Sequence, residues 1–159
     1  GFGAWSTNVL VAGGVTTRPA FVMAHGGDGT SHVVAEPYDF SLDVSRPDYT
    51  ATYIELRDAG PSRSVALGAF PLQWLPPFRD LGVDAAGNVW IQKRTSAMTD
   101  TAAVVRVDPR GEIAERSLGS IATGTQQSST LAVSPSGELA LVHHAGGRWL
   151  AVRRFTPFR

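Results

Sequence analysis

Apolar and polar positions alternate along this chain in short runs. The clearest are TNVLVAG, AFVMAH, SHVVAE, TATYIELR, SRSVALGAF, NVWIQK, AAVVRVD, STLAVS, ELALVHH and RWLAVRRF. Each is rich in Val, Leu, Thr or aromatic residues and is bounded by Gly, Pro, Asp or Ser. A period of two places one set of side chains on each face of a strand. No stretch of a dozen residues keeps apolar positions at i, i+3, i+4 and i+7, so the pattern predicts an all-β protein of many short strands.

The breaks between runs repeat as well. Gly29, Gly60, Gly87, Gly111 and Gly137 recur at intervals of 24 to 31 residues. The turns within VDAAGN, VDPRGE and VSPSGE each open on the Asp or Ser and close on the Gly. This is type I turn chemistry: the opening side chain accepts a local hydrogen bond, and Gly takes the positive φ that leads into the next strand. Two such hairpins make an antiparallel four-stranded unit. The spacing predicts units at about 20–70, 77–120 and 128–158, with only three strands in the last. An N-terminal strand at 6–13 is a candidate for its fourth. Repeats of this length with four strands each are the pattern of β-propeller blades, and a partial propeller is expected. A β-sandwich or barrel is the alternative, because it shares the turn spacing.

The run LPPFRDLGVDAAGNVWIQ, followed by VVRVDPRGEI, LAVSPSGELALV and LAVRRF, resembles bacterial six-bladed β-propeller proteins of the broad NHL-like group. Those proteins carry V-D-x-x-G-x-[VLI]-W at blade starts and a V-x-D-P-x-G hairpin after it. The resemblance covers residues 75–155 best and about three blades in all. It implies binding or scaffold modules in most members and hydrolases or lactonases with a central metal in a minority.

Composition narrows the function classes. The 159 residues suffice for one domain with a real core. Lys plus Arg number 14 and Asp plus Glu 14, so no net field draws the chain to nucleic acid or anionic lipid. No run of 18 apolar residues is present, so no membrane-spanning helix is expected. Cysteine is absent, which excludes disulfides, thiolate metal sites and a Cys nucleophile. Lys93 is the sole lysine beside 13 arginines, a bias that reads as genome composition more than as interface chemistry. The start, GFGAWSTNVLVAGG, has neither an initiator Met nor a basic n-region and reads as neither an intact signal peptide nor a natural start. With the resemblance, it leads to the expectation of a periplasmic or extracellular protein.

Candidate chemistry is thin. AHGGDGTSH places His25, Asp28 and His32 around a glycine-rich turn, but on opposite hairpin arms and near a solvated tip. His143 and His144 are adjacent on one strand, so they point to opposite faces and cannot share an ion. No G-x-S-x-G elbow and no G-K-[ST] phosphate loop is present. Asp84, Asn88, Asp108 and Glu112 read as solvated turn residues, since calcium loops need more oxygen ligands. No catalytic residue, cofactor or metal is assigned. Large aromatic rings dominate contact energy, so the best candidates are for partner binding. They are Trp74, Phe78 and Arg79 in the FPLQWLPPFR connection, and Arg153, Arg154, Phe155 and Phe158 in the terminal RRFTPFR. Trp90 and Trp149, within strands, read as wedges between blades. The reading is a non-catalytic binding or scaffold module, an accessory subunit of a larger and membrane-associated complex, whose partners are other protein subunits or a second copy completing a ring. A hydrolase or lactonase-type propeller fragment is the alternative.

Overall fold

The computed structural model describes residues 17–39, 50–57, 60–69, 78–94, 101–120, 129–144 and 150–156. Eleven strands and no helix occur among them. They are β1 (Thr17–His25), β2 (Ser31–Asp39), β3 (Thr50–Arg57), β4 (Gly60–Ala69), β5 (Phe78–Val83), β6 (Val89–Arg94), β7 (Thr101–Val107), β8 (Ile113–Ser120), β9 (Ser129–Val133), β10 (Leu139–His144) and β11 (Leu150–Phe155). The all-β, antiparallel character read from the alternation is what the chain adopts. The candidate strand at 6–13 lies outside the described residues.

Among the described residues three sheets form, each an up-and-down meander in chain order. Sheet 1 is β1-β2-β3-β4, sheet 2 is β5-β6-β7-β8 and sheet 3 is β9-β10-β11. Sequence explains the meander: every described hairpin is short, and a short hairpin joins only antiparallel neighbours. The turns 84–88, 108–112 and 134–138 share one geometry. The amide of the closing Gly donates to the opening carbonyl, Gly87 to Asp84 at 3.1 Å, Gly111 to Asp108 at 2.9 Å and Gly137 to Ser134 at 3.0 Å. The opening amide donates to the residue four on. Those glycines have φ of 78°, 89° and 78°, a region that side-chain-bearing residues rarely occupy. Gly26–Thr30 repeats the scheme with Gly29 at φ 83°.

The sheets stack face to face, with β5 lying against both β1 and β9. Each sheet has a leading face, toward the preceding sheet, and a trailing face, toward the following one. Val22, Ala24, Val34, Tyr53 and Val65 on the trailing face of sheet 1 meet Leu81, Val89, Ile91, Val105 and Val107 on the leading face of sheet 2. Trp90 and Val104 on the trailing face of sheet 2 meet Leu131, Leu139 and Phe155 of sheet 3. The central strands are therefore apolar on both faces, which the sequence shows as near-continuous runs such as NVWI and AAVV. Each fully buried Val, Leu or Ile contributes about 1.5–3 kcal/mol, so the two boundaries hold the three sheets together. Gly82 permits close approach at the second: a Cβ there would lie 2.6 Å from Val133 Cγ2. The edge strand β4 alternates between half-buried Arg63, Val65 and Leu67 and exposed Ser62, Ser64 and Ala66. It reads as one wet face and one dry.

Candidate functional site

The hairpin tips carry the polar chemistry. Asp84 is only 8% exposed and accepts four hydrogen bonds, each 2.9 Å: from the amides of Ala86 and Asn88, from Asn88 Nδ2 and from Trp90 Nε1. Asp84 is thus a buried clamp rather than a solvated turn residue. It is covered because sheet 3 stacks its own turn on this one: the Ala85 amide donates to the Pro135 carbonyl at 3.0 Å. Gly137 also lies against Asp84 and the Trp90 ring. Asp108 opens the equivalent distal turn by accepting from Arg110 and Glu112 amides, but at an exposed tip. These bonds hold its carboxyl below the usual carboxylate range.

At the boundary of sheets 1 and 2 a second polar group gathers on β2, β3 and β4. His32 Nδ1 lies 2.8 Å from Tyr53 Oη, with the two rings stacked. Arg63 donates to Tyr53 Oη at 3.3 Å, so the phenol hydrogen is left for the imidazole. Arg63 also pairs with Glu55 at 2.8 Å and donates across the boundary to the carbonyls of Asp108, at 2.9 Å, and Pro109, at 2.5 Å. Glu55 further accepts from Ser62 Oγ at 2.8 Å and Arg57 Nε at 3.1 Å. Register explains the gathering: His32 pairs with Glu55, and Glu55 with Arg63, across adjacent strands on one face.

Electrostatics assigns each group a state. Burial holds the His32 imidazole below its ordinary value, against the pull of Glu55 and Asp28. Burial likewise raises the Tyr53 phenol, despite Arg63. Burial works to raise Glu55 too, but the Ser62 hydroxyl and the Arg63 and Arg57 guanidiniums outweigh it and hold the carboxyl down. At neutral pH the cluster is a neutral His, a protonated Tyr and a carboxylate bound by two arginines. Such a carboxylate is a poor base, so Ser62 gains no nucleophilic activation from it.

A cleft of about 620 Å³ opens over this cluster, between the 26–30 and 84–88 turns. Asp28, His32, Glu55, Arg57 and Asp84 are among its lining residues. Its acceptors and donors are largely spent on one another. Among the described residues no three His, Asp or Glu side chains converge as a metal site.

The two ends of the stack are different in kind. On the leading face of sheet 1 the β1 residues Phe21, 67% exposed, and Met23, 53% exposed, are open, whereas Val33, Ala35 and Ile54 on β2 and β3 form a buried cluster. The trailing face of sheet 3 presents Val152, 58% exposed. There a hollow of about 480 Å³ is lined by Ala132, Ala140, Glu138 and Arg154.

The residues singled out in the sequence fall in several places. Trp74, Phe158, Trp5 and Trp149 lie outside the described residues, as do the side chains of Arg79, Arg153, His143 and His144. Phe78 is 2% exposed and sits in the core between sheets 1 and 2, which gives it a packing role in this chain. Phe155 is half-buried against Leu139, and Arg154 is exposed on the trailing face of sheet 3. His25 is exposed beside Ser31 Oγ, but His32 is not solvated as expected: it is 5% exposed, on the opposite face of the hairpin. The Tyr53, Glu55 and Arg63 partners of His32 went unrecognised in the sequence. The alternation in TATYIELR was the available signal, since it puts Tyr53 and Glu55 on one face.

No protein-family model matches the chain, and none of the curated proteins matches it. Among solved structures it is similar to a protein of unknown function from Bacteroides caccae, at 12% identity and a TM-score of 0.48. That likeness covers 92% of this chain and 48% of the other. It is also similar to a catalytically inactive virginiamycin B lyase from Staphylococcus aureus, solved with quinupristin, at 11% identity and a TM-score of 0.39. There it covers 88% of this chain and 41% of the other. The chain spans less than half the length of either structure. Among the described residues no helix is long and apolar enough to cross a membrane.

Proposed function

We propose that the chain is a non-catalytic binding or scaffold module, built as a partial propeller, that works by covering its end sheets with other protein. The single observation that carries this reading is the exposure of large apolar side chains at the two end sheets, Phe21 and Met23 on β1 and Val152 on β11. Neighbouring exposed apolar side chains on one face of a strand, as Phe21 and Met23 are, mark interaction surface. The order of the sheets, with β5 lying between β1 and β9, supports the propeller arrangement. The polar cleft fits a structural role better than catalysis, because Glu55 is neutralised by Arg57 and Arg63.

The test is a photo-crosslinking residue at position 23 or 152, with Ser117 on the exposed edge of β8 as the control site. In the native source, adducts to protein form from 23 and 152 and not from 117. Absence of adducts at both end faces, or stoichiometric Zn, Ca or Mn in the purified protein, overturns the reading in favour of a hydrolase or lactonase-type fragment.

A further inference from the structure

Three polar groups at the cleft between the 26–30 and 84–88 turns are not spent on the cluster beneath it. The first is His32. Its Nδ1 takes the Tyr53 hydroxyl hydrogen, so Nε2 carries the hydrogen of the neutral ring. The residue is 5% exposed and lines the cleft, and among the described residues its Nε2 has no hydrogen-bond partner. The second is Asp28, an exposed carboxylate that the hydrogen bonds of Thr30 hold below the usual carboxylate range and therefore ionised. The third is Arg57, whose side chain is 62% exposed. It spends Nε and one Nη on Glu55, which leaves the other Nη toward the cleft it lines.

Gly26 keeps the space between the first two open. A Cβ there would lie 2.8 Å from Asp28 Oδ1 and 3.1 Å from His32 Nε2. The two atoms therefore flank one point, close enough for a single hydroxyl to touch both, and among the described residues they do not bond each other. One hydroxyl satisfies such a pair, because it donates to the carboxylate and accepts from the imidazole at once. The walls of the cleft also differ. Sheet 1 and its first turn supply these polar groups, whereas sheet 2 supplies Val83, Ala85, Ala86 and Pro109 beside an Asp84 already filled by its own donors. Asp28, Glu55 and Asp84 face Arg57 and Arg63 in the lining, so no positive excess gathers an anion, and the guanidiniums disfavour a cation.

We propose that this cleft binds a neutral polyhydroxylated ligand, a mono- or oligosaccharide. One hydroxyl bridges Asp28 and His32 Nε2, a second accepts from Arg57, and the C–H face of the sugar rests on Ala86 and Pro109. The volume of about 620 Å³ lies within the range of small-molecule sites, which pair an apolar wall with a few placed polar groups. The ligand is held and not transformed. The site uses none of the end-sheet residues and does not rest on the module reading.

The experiment is an NMR titration of the purified chain with glucose, galactose, mannose, N-acetylglucosamine, maltose and cellobiose, each up to about 50 mM. Sodium phosphate and methylammonium chloride are the ionic probes. At least one sugar is expected to shift the His32 imidazole and Ala86 methyl signals together and to saturation, one signal from each wall. Asp28→Asn keeps a side-chain acceptor for the Thr30 amide but removes the charge, and Gly26→Ala fills the gap between Asp28 and His32. Each is expected to weaken the sugar by about 10-fold or more. Asp108→Asn, at an exposed tip outside the cleft lining, leaves the affinity unchanged. Unchanged circular dichroism checks the folds, and Asp28→Asn carries the test alone if Gly26→Ala fails to fold. No saturating shift with any of the sugars, a stronger response to either ion than to every sugar, or sugar binding indifferent to Asp28→Asn overturns the proposal.

Discussion

Replacing Asp84 by Ala separates a buried clamp from an ordinary turn residue. Asp84 takes four donors, and two of them, the amides of Ala86 and Asn88, sit at a tip where water can replace the carboxylate. Trp90 Nε1 is different: its ring is 4% exposed and packed among Val104, Leu131 and Leu139. Stranding a buried donor costs about 1–3 kcal/mol, and losing the turn's local acceptor adds about 1 kcal/mol. Relief of the buried charge offsets part of this, giving a net loss of about 2–4 kcal/mol. For a chain of this size that lowers Tm by roughly 5–12 °C. Asp108→Ala is the internal control, since it removes the same turn bonds at an exposed tip and costs about 0.5–1 kcal/mol. Urea unfolding followed by circular dichroism and Trp fluorescence measures both, with equal m-values required. Adding Trp90→Phe to each background completes a double-mutant cycle, expected to show coupling above about 1 kcal/mol with Asp84 and none with Asp108. An Asp84→Ala cost no larger than that of Asp108→Ala would refute the clamp and, with it, the burial of this turn under sheet 3.

Three other outcomes follow from the same geometry. Gly82→Ala overpacks the boundary of sheets 2 and 3 and costs about 1–3 kcal/mol, and Val133→Ala in the same chain recovers part of that loss in chemical denaturation; additive costs would contradict the contact. His32 is held below its ordinary value of 6.5, so the unfolded chain takes up the proton first, and stability falls as pH drops through that value toward the folded one. Unfolding titrations of His32→Gln should lack this slope and keep the later loss, at lower pH, as Glu55 and Asp108 protonate. Arg63→Met breaks the bridge from Glu55 and Tyr53 to the Asp108 and Pro109 carbonyls and destabilises by about 2–4 kcal/mol, whereas Arg57→Met, at an exposed guanidinium, costs under about 1 kcal/mol by the same assay.

Much of this fold is written locally. The alternation in TATYIELR and the doubly apolar NVWI and AAVV place central strands, and the Asp/Ser-x-x-Gly phrases place the turns between them. Those features act over a few residues, so the sequence displays them directly. The site was less legible because its meaning depends on what lies across a sheet boundary. VDAAGN and VDPRGE look alike, yet Asp84 is buried and Asp108 is not, because another turn stacks on the first. AHGGDGTSH suggests a wet polar tip, but the strand pleat sends His32 inward to Tyr53 while His25 stays outside. Phe78 sits in an aromatic connection that reads as a contact surface, and the bulge after it is associated with a ring that packs inside. None of these outcomes follows from spacing along the chain alone.

The face-to-face stacking of the three sheets can be tested most directly by proton NOE measurements in solution. Contacts are predicted between the Gly82 α-protons and the Val133 methyls, between Gly137 and the Trp90 ring, and between Gly111 and a Val65 methyl, which together span both boundaries. Absence of all three, in a protein whose strand-pairing NOEs within each sheet are intact, would contradict the account.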